Sequence, residues 1–153
     1  MKISLIEPIG VSEQVISELA ADLINAGHSL SYYNTKTADP KELAERSWDA
    51  DIVIIANTPY PAEVIRQAEH LKMISVAFTG IDHIGADACR ERGIAVYNAA
   101  NYSNKAVAEL VIGMTISLLR RLPVVDAAAR NSDTEERSPD EQPASLALAA
   151  LVL

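Results

Sequence analysis

Short apolar runs alternate with amphipathic segments over the first hundred residues of the chain. The apolar runs are predicted strands, at residues 2–6, 29–33, 51–56, 71–78 and 94–97. The segments between them are predicted helices, at residues 12–26, 40–46, 61–69 and 85–92. This alternation predicts a parallel sheet in three layers. We expect an α/β fold: a flavodoxin-like wound parallel sheet of about five strands with helices on both faces.

Local signals support several of these elements. Ser12 and Asp39 are suited to cap helices, and Gly27 follows the end of the first predicted helix. The run at residues 52–55 is continuous and β-branched, which predicts a strand covered on both faces. The first helix has an apolar face that we expect to pack on the sheet, formed by Val15, Ile16, Leu19, Leu23 and Ile24.

A different kind of segment begins at Ser103 and ends at Leu122. Its stretch at residues 106–119 has only Glu109, Thr115 and Ser117 as polar residues. A helix that is apolar nearly all round needs cover on more than one side. At roughly 30 Å it is about as long as a small domain is wide. We therefore predict a long projecting helix that requires a second domain or a second copy of the chain as its partner. With a second copy, the chain would form a homodimer or an aggregate.

The composition changes again after Arg130. Residues 131–143 contain five acidic residues, one arginine and two prolines without an apolar residue, and residues 144–153 are almost wholly apolar. The acidic stretch predicts a disordered tail. We expect three parts: an α/β domain at residues 1–102, the apolar helix at 103–130, and the tail at 131–153.

Charge and cysteine content exclude several classes of protein. The formal net charge is −8, with 21 acidic and 13 basic residues, which argues against a nucleic-acid partner. The single cysteine, Cys89, cannot form an internal disulfide, and we expect it to be a small buried hydrophobe. No apolar stretch reaches the length of about 18 residues needed for a membrane span, and the N-terminus does not resemble a signal peptide. A cytoplasmic protein without a membrane partner is the expectation.

Two common kinds of site are absent from the sequence pattern. No glycines are spaced as G-x-G-x-x-G or as a P-loop, so the phosphate-cradling backbone of most nicotinamide and ATP enzymes is missing. The histidines at 28, 70 and 83 are scattered, and Asp82-His83 forms a close acid–histidine pair. We therefore predict no metal site.

A resemblance to a known family rests on the run LKMISVAFTGIDHIGADACRERGIAVYNAANYSNKAVAELVIGMTISLLRRLP, which begins at Leu71. Within it, T-G-x-D follows a strand, R-G-I-x-V and N-x-x-x-Y follow in turn, and A-V-A-E opens the long helix. This pattern resembles the substrate-binding domain of D-2-hydroxyacid dehydrogenases, which include 3-phosphoglycerate, glycerate, formate and D-lactate dehydrogenases. An unrelated wound sheet is the alternative.

The resemblance implies roles for particular residues. The loop Thr79-Gly80-Ile81 matches the one that binds the substrate carboxylate through backbone N–H groups. Asn57 and Thr58 match the loop after the third strand, which borders the substrate site. Val107 matches a position beside the nicotinamide of the cofactor NAD. Relatives often carry a basic or serine residue near position 57, and Asn57 in place of a basic residue disfavours a phosphorylated substrate.

The resemblance also implies what this sequence lacks. The family inserts a nucleotide-binding domain after the long helix, and that domain holds its G-x-G-x-x-G loop and its catalytic arginine, glutamate and histidine. We expect a truncated, inactive relative of an NAD-dependent oxidoreductase that acts on small 2-hydroxy or 2-oxo acids. The alternatives are a non-enzymatic interaction module that dimerises through the long helix, and a small-acid binding protein that uses the Thr79–Ile81 loop.

Overall fold

The computed structural model describes residues 1–132, and the chain divides into two compact units. The first unit is Met1–Tyr102, and the second begins at Ser103. The strands of the first unit are β1 (Lys2–Leu5), β2 (Ser29–Tyr32), β3 (Ile52–Ile55), β4 (Met73–Val76) and β5 (Ala95–Asn98). Its helices are α1 (Glu13–Leu19), α2 (Ala21–Asn25), α3 (Pro40–Ser47), α4 (Ala62–Gln67) and α5 (Ala86–Arg92).

The five strands form one parallel sheet in the order β2-β1-β3-β4-β5. This is the flavodoxin-like order that the sequence predicts. The register pairs Leu5 with Tyr32 and Ile54, Ile55 with Val76, and Val76 with Asn98. The carboxyl ends of all five strands therefore lie along the same edge of the sheet.

Right-handed crossovers place α1 and α2 on one face of this sheet and α3, α4 and α5 on the other. Consistent with this, α3 packs on α4 and α4 packs on α5. Val53 and Ile55 of β3 are fully buried, whereas Ile52 and Ile54 are only partly buried. Strand β3 is therefore covered on both faces, as predicted, but less completely on the face of Ile52 and Ile54.

The first predicted helix forms as two helices that meet at Ala20, where ψ is −4°. Ile16 and Ala20 are buried, but Leu19 is 79% exposed. The predicted apolar face is right for Ile16 and wrong for its other four residues, because the side chains that face the sheet are Ile16 and Ala20, four residues apart. Leu19 precedes Ala20 and is turned about 100° away from it. Val15, Leu23 and Ile24 are exposed as well.

The second unit contains α6 (Asn104–Leu119) and α7 (Leu122–Ser132). The predicted helix through Leu122 thus ends earlier, and Arg121 adopts a left-handed backbone with a φ of 51°. Pro123 explains the break. In an uninterrupted helix it could not donate to the carbonyl of Leu119, and its ring would collide with that carbonyl. In the first turn of α7 it needs no partner for its nitrogen.

The start of the predicted tail is helical, because α7 includes Asn131 and Ser132. The remainder of that prediction, residues 133–153, lies outside the described residues. Among residues 1–132, no helix is both long enough and apolar enough to cross a membrane.

Candidate carboxylate-binding site

The loops after β3, β4 and β5 lie side by side at the carboxyl edge of the sheet. Ala77 N donates to Ile55 O at 2.7 Å, and Ala99 N donates to Phe78 O at 3.1 Å. These bonds continue the strand pairing beyond the ends of the strands. In open parallel sheets, ligands bind in the crevice beyond the carboxyl ends of the strands. The expected substrate loops are therefore neighbours at a suitable edge.

The Thr79-Gly80-Ile81 loop offers three consecutive backbone N–H groups that have no acceptor within residues 1–132. Two of its carbonyl groups do accept hydrogen bonds: Asn98 Nδ2 donates to Thr79 O at 2.6 Å, and Ile84 N donates to Ile81 O at 3.0 Å. Adjacent backbone N–H groups in a bend form a concave site for an anion. The loop thus presents donors of the kind that an anion requires.

Gly80 and Gly85 have different structural reasons to be glycine. The φ of Gly80 lies outside the left-handed range, and an added Cβ would meet only Asp82 Oδ2, at 4.0 Å. The backbone conformation there does not require glycine, and the space beside it is open. At Gly85 an added Cβ would lie 2.5 Å from the backbone nitrogen of Ala62. Gly85 therefore permits the close approach of α5 to α4.

A buried carboxylate holds the loop after β3. Glu7 is 1% exposed, and its Oε1 accepts hydrogen bonds from the backbone nitrogens of Ala56 at 2.8 Å and of Asn57 and Thr58 at 3.0 Å. Its Oε2 accepts from Thr58 Oγ1 at 2.7 Å. Thr58 is fully buried, with both its N–H and its hydroxyl donating to Glu7. Asn57 is exposed at the edge.

Hydrogen bonding decides the charge of Glu7. Burial by itself raises the pKa of this carboxyl, but the hydrogen bonds from Thr58 and Ala56 and the charge of Lys36 outweigh it. The pKa of Glu7 therefore lies below its ordinary value, and the group is ionised at neutral pH. With both oxygens occupied, it is poorly placed to act as a general base.

Lys36 brings a positive charge to the same edge from the loop after β2. Its Nζ lies 3.7 Å from Glu7 Oε2 and donates a short hydrogen bond to Asn57 Oδ1. The Lys36 side chain is about half exposed. Sequence reasoning missed Glu7 and Lys36 as site residues. The available signals were an acidic residue directly after the apolar run of β1 and a lone lysine after β2.

Arg46 fixes the loop that carries Lys36. This residue is 6% exposed and donates to Ile6 O at 2.8 Å, to Thr35 O at 2.6 Å and to Thr35 Oγ1 at 2.8 Å. It also pairs with Glu42, and its guanidinium lies 4.8 Å from the centroid of the Tyr33 ring. A planar guanidinium suits several acceptors at once. Through Thr35, Arg46 holds the residue next to Lys36.

The remaining candidate residues belong to other elements of the chain. Val107 is on α6, in the second unit, and is 53% exposed. Cys89 is buried, as predicted, and burial raises the pKa of its thiol. Within residues 1–132, no group of three or more His, Cys, Asp or Glu side chains could hold a metal ion.

Comparison with known proteins decides the family. The sequence profile described as "D-isomer specific 2-hydroxyacid dehydrogenase, catalytic domain" matches residues 5–144. The chain belongs to this family. It is 35% identical over 98 residues to a D-3-phosphoglycerate dehydrogenase of Methanocaldococcus jannaschii, which covers 63% of this chain. It is 34% identical over 109 residues to a glycerate dehydrogenase of Methylorubrum extorquens, which covers 71% of this chain.

Solved structures of other proteins share the fold. An NAD+-bound 3-phosphoglycerate dehydrogenase of Entamoeba histolytica superposes with a TM-score of 0.64 and 32% identity, covering 76% of this chain and 38% of that protein. An acyclic imino acid reductase in complex with NADPH and D-Arg gives a TM-score of 0.73 at 25% identity and covers 94% of this chain and 45% of that one. The chain spans 19% and 34% of the two curated dehydrogenases named above.

The residues of the first unit do not fit the dinucleotide of this dehydrogenase family. A pyrophosphate is bound at a helix N-terminus, where backbone N–H groups and the helix dipole favour negative charge. Within the first unit, each of the four helices that directly follow a strand already carries a carboxylate in its first turn, which would repel a phosphate. These residues are Glu13 of α1, Glu42 of α3, Glu63 of α4 and Asp87 of α5.

Proposed function

We propose that this chain supplies the part of a D-2-hydroxyacid dehydrogenase that binds the substrate carboxylate. The observation that carries the proposal is the run of three backbone N–H groups at Thr79, Gly80 and Ile81 without acceptors in the described chain. A carboxylate has only acceptors, and hydrogen bonds that it receives from N–H groups are strengthened by its charge. The ligand is a small 2-hydroxy or 2-oxo acid.

The neighbouring side chains support an acidic ligand in spite of the net negative charge of the protein. Lys36 contributes a cation to the edge, and Asn57 contributes an amide. The negative charge of Glu7 is buried and is neutralised by its own four donors and by Lys36. Lys36 and Asn57 therefore add donor groups at this edge of the sheet.

In the proposed whole enzyme, NAD takes up or delivers the hydride at C2 of the acid, as the family resemblance implies. The 153-residue sequence contains no G-x-G-x-x-G motif, and the first unit does not fit the dinucleotide. We therefore propose that this chain by itself binds the acid but does not catalyse the NADH-dependent reduction of 2-oxo acids. An NADH-oxidation assay with glyoxylate checks this, and turnover that Ile81→Pro abolishes would contradict it.

A direct test of binding is an NMR titration of the ¹⁵N-labelled chain with D-glycerate. We expect the amide resonances of Thr79, Gly80 and Ile81 to shift in a saturable manner. Glycerol, which has the same carbon skeleton without the carboxylate, should leave them in place. The proposal is wrong if D-glycerate moves none of the three resonances.

A matched pair of variants sharpens this test. Ile81→Pro removes one of the three N–H groups, whereas Ile81→Val keeps it. Because a hydrogen bond to a charged group contributes about 1.5–3 kcal/mol, Ile81→Pro should weaken D-glycerate binding by about tenfold or more. Ile81→Val should bind like the parent chain, and equal affinities for the two variants would count against the backbone site.

A second candidate function is self-association, and the exposure of α6 favours it. Its large apolar side chains are each more than half exposed in the described chain: Val107, Leu110, Val111, Ile112, Met114, Ile116, Leu118 and Leu119. An apolar surface of this extent is typical of an interface. We propose a second copy of the chain as the partner. Sedimentation velocity should show a dimer at micromolar concentration that Leu110→Lys with Met114→Lys dissociates, and a monomeric parent chain would contradict this.

A further inference from the structure

Lys36 and Asn57 come from different loops, after β2 and β3, and meet through the Asn57 side-chain oxygen. We propose that Lys36 is a positioning residue that makes Asn57 a hydrogen-bond donor to the substrate. The inference rests on the proposed function, because it adds a side-chain contact to the backbone site at residues 79–81.

The chemistry of the two groups fixes the orientation of the amide. A lysine ammonium has three donors and no acceptor, so the Asn57 atom that faces it is the carbonyl oxygen. The Asn57 Nδ2 group then lies on the other side of the amide. It makes no hydrogen bond within the part of the chain that the structure describes. Both of its N–H donors thus remain available to a ligand.

Two contacts hold Lys36, one on the preceding residue and one on its own side chain. Arg46 binds the carbonyl and hydroxyl of Thr35, the preceding residue. The Lys36 ammonium lies 3.7 Å from the buried Glu7 carboxylate, which also receives the backbone N–H of Asn57. Glu7 therefore fixes the backbone of Asn57 while Lys36 fixes its side chain. Two separate contacts determine where the amide is presented.

The arrangement selects for an acceptor on the ligand. A carboxylate or a 2-oxo group has only acceptors and fits two amide N–H donors. If the amide turned over, its carbonyl oxygen would face the same ligand atoms and repel them. Lys36 prevents this by occupying the oxygen. The expected ligand class is a 2-oxo or 2-hydroxy acid that is bound through its carboxylate at the Thr79–Ile81 loop and through a second oxygen at Asn57.

The test is a double-mutant cycle on the full chain, with D-glycerate as the probe and NMR as the readout. The variants are Lys36→Met, Asn57→Ala and the two combined, with Lys36→Arg as the conservative control. We expect Lys36→Met and Asn57→Ala each to weaken binding by about fivefold, the effect of losing one neutral hydrogen bond. The double variant should bind no more weakly than Asn57→Ala alone, and Lys36→Arg should bind like the parent chain.

Two results would overturn the inference. If Lys36→Met weakens binding as much in the Asn57→Ala background as in the parent, Lys36 contacts the ligand itself. If Lys36→Met leaves the Asn57 side-chain ¹⁵N–¹H₂ resonances of the ligand-free protein unchanged, it does not orient the amide. If D-glycerate does not shift the amide resonances of residues 79–81 in the parent chain, the proposed function is contradicted. The ligand-free Asn57 resonances then still decide the role of Lys36, so the two failures are distinct.

Discussion

Thr58 donates both its backbone N–H and its hydroxyl to the carboxylate of Glu7, at 3.0 and 2.7 Å, across 51 residues of sequence. Both residues are buried. This contact joins the end of β1 to the loop after β3, so the shape of the candidate site depends on a charged group that no ligand needs to touch.

Replacing Glu7 by Gln should destabilise the protein by about 2–3 kcal/mol at pH 7, because a neutral amide cannot accept all four hydrogen bonds. Urea unfolding measures the loss. Glu45→Gln, at an exposed glutamate, is the matched control and should change the free energy of unfolding by less than about 0.5 kcal/mol. A loss for Glu7→Gln as small as that of the control would contradict the role assigned to Glu7.

The same variant should change the acid sensitivity of the protein. The pKa of Glu7 is lower in the folded state than its ordinary value of 4.5, so its stabilisation is present above that value and is lost as the pH falls through the folded pKa. Between pH 5 and pH 3, the parent chain should therefore lose more stability than Glu7→Gln. Parallel slopes in urea unfolding across this range would contradict the expectation.

Gly80→Ala and Gly85→Ala should separate the two glycines of the β4–α5 connection. A Cβ at Gly85 would overlap the backbone of Ala62, so we expect a loss of about 1–3 kcal/mol and a lower Tm. A Cβ at Gly80 meets only Asp82 at 4.0 Å and should leave the Tm nearly unchanged. Thermal unfolding followed by circular dichroism checks both. Equal Tm values would show that α4 can move aside for the added methyl group.

Arg46→Lys should destabilise the first unit by about 3 kcal/mol. A lysine cannot reach the buried Ile6 O and both partly buried acceptors of Thr35 together, so it leaves part of this set without a partner. Arg66→Lys is the matched control, since Arg66 forms an exposed pair with Glu91 that contributes about 0–1 kcal/mol. Chemical unfolding of both variants gives the comparison, and similar losses would contradict a structural role for Arg46.

Asp51 should titrate with a pKa of about 2. Hydrogen bonds from the Lys72 ammonium and from Lys2 N, at 2.6 and 2.8 Å, lower its pKa from 3.8. Its contribution to stability is therefore present above about pH 4 and is lost only as the pH falls towards 2. NMR titration of the carboxyl carbon measures this. Lys72→Met should raise the midpoint, whereas Lys41→Met, at a distant lysine, should not.

The predictable part of the fold depended on local patterns. The strands, their order and the loop at Thr79-Gly80-Ile81 follow from short apolar runs and a motif with fixed spacing. The buried face of the first helix was predicted to include Leu19, because leucine is a stronger hydrophobic signal than alanine. In the structure the next residue, Ala20, is buried instead. The break at Arg121 depends on a proline two positions later, whose effect reaches back to Leu119.

The side-chain part of the candidate site could not be predicted in the same way. Glu7, Lys36 and Asn57 lie in three different loops, and nothing local to any of them indicates the others. Their contact exists because β1 lies between β2 and β3 in the sheet. Glu7 alone resembles an ordinary surface glutamate at the end of a strand, and Lys36 an ordinary solvated lysine.

The proposed carboxylate anchor consists of main-chain groups at Thr79, Gly80 and Ile81, so few amino-acid substitutions can remove it. Every residue except proline supplies the same N–H group, and most point mutations in this loop would leave the anchor intact. Mutations at positions 36 and 57, in contrast, would alter which acids are accepted. Because the main chain would bind the carboxylate and side chains would select the rest of the acid, substrate preference could change by single substitutions while carboxylate binding is retained.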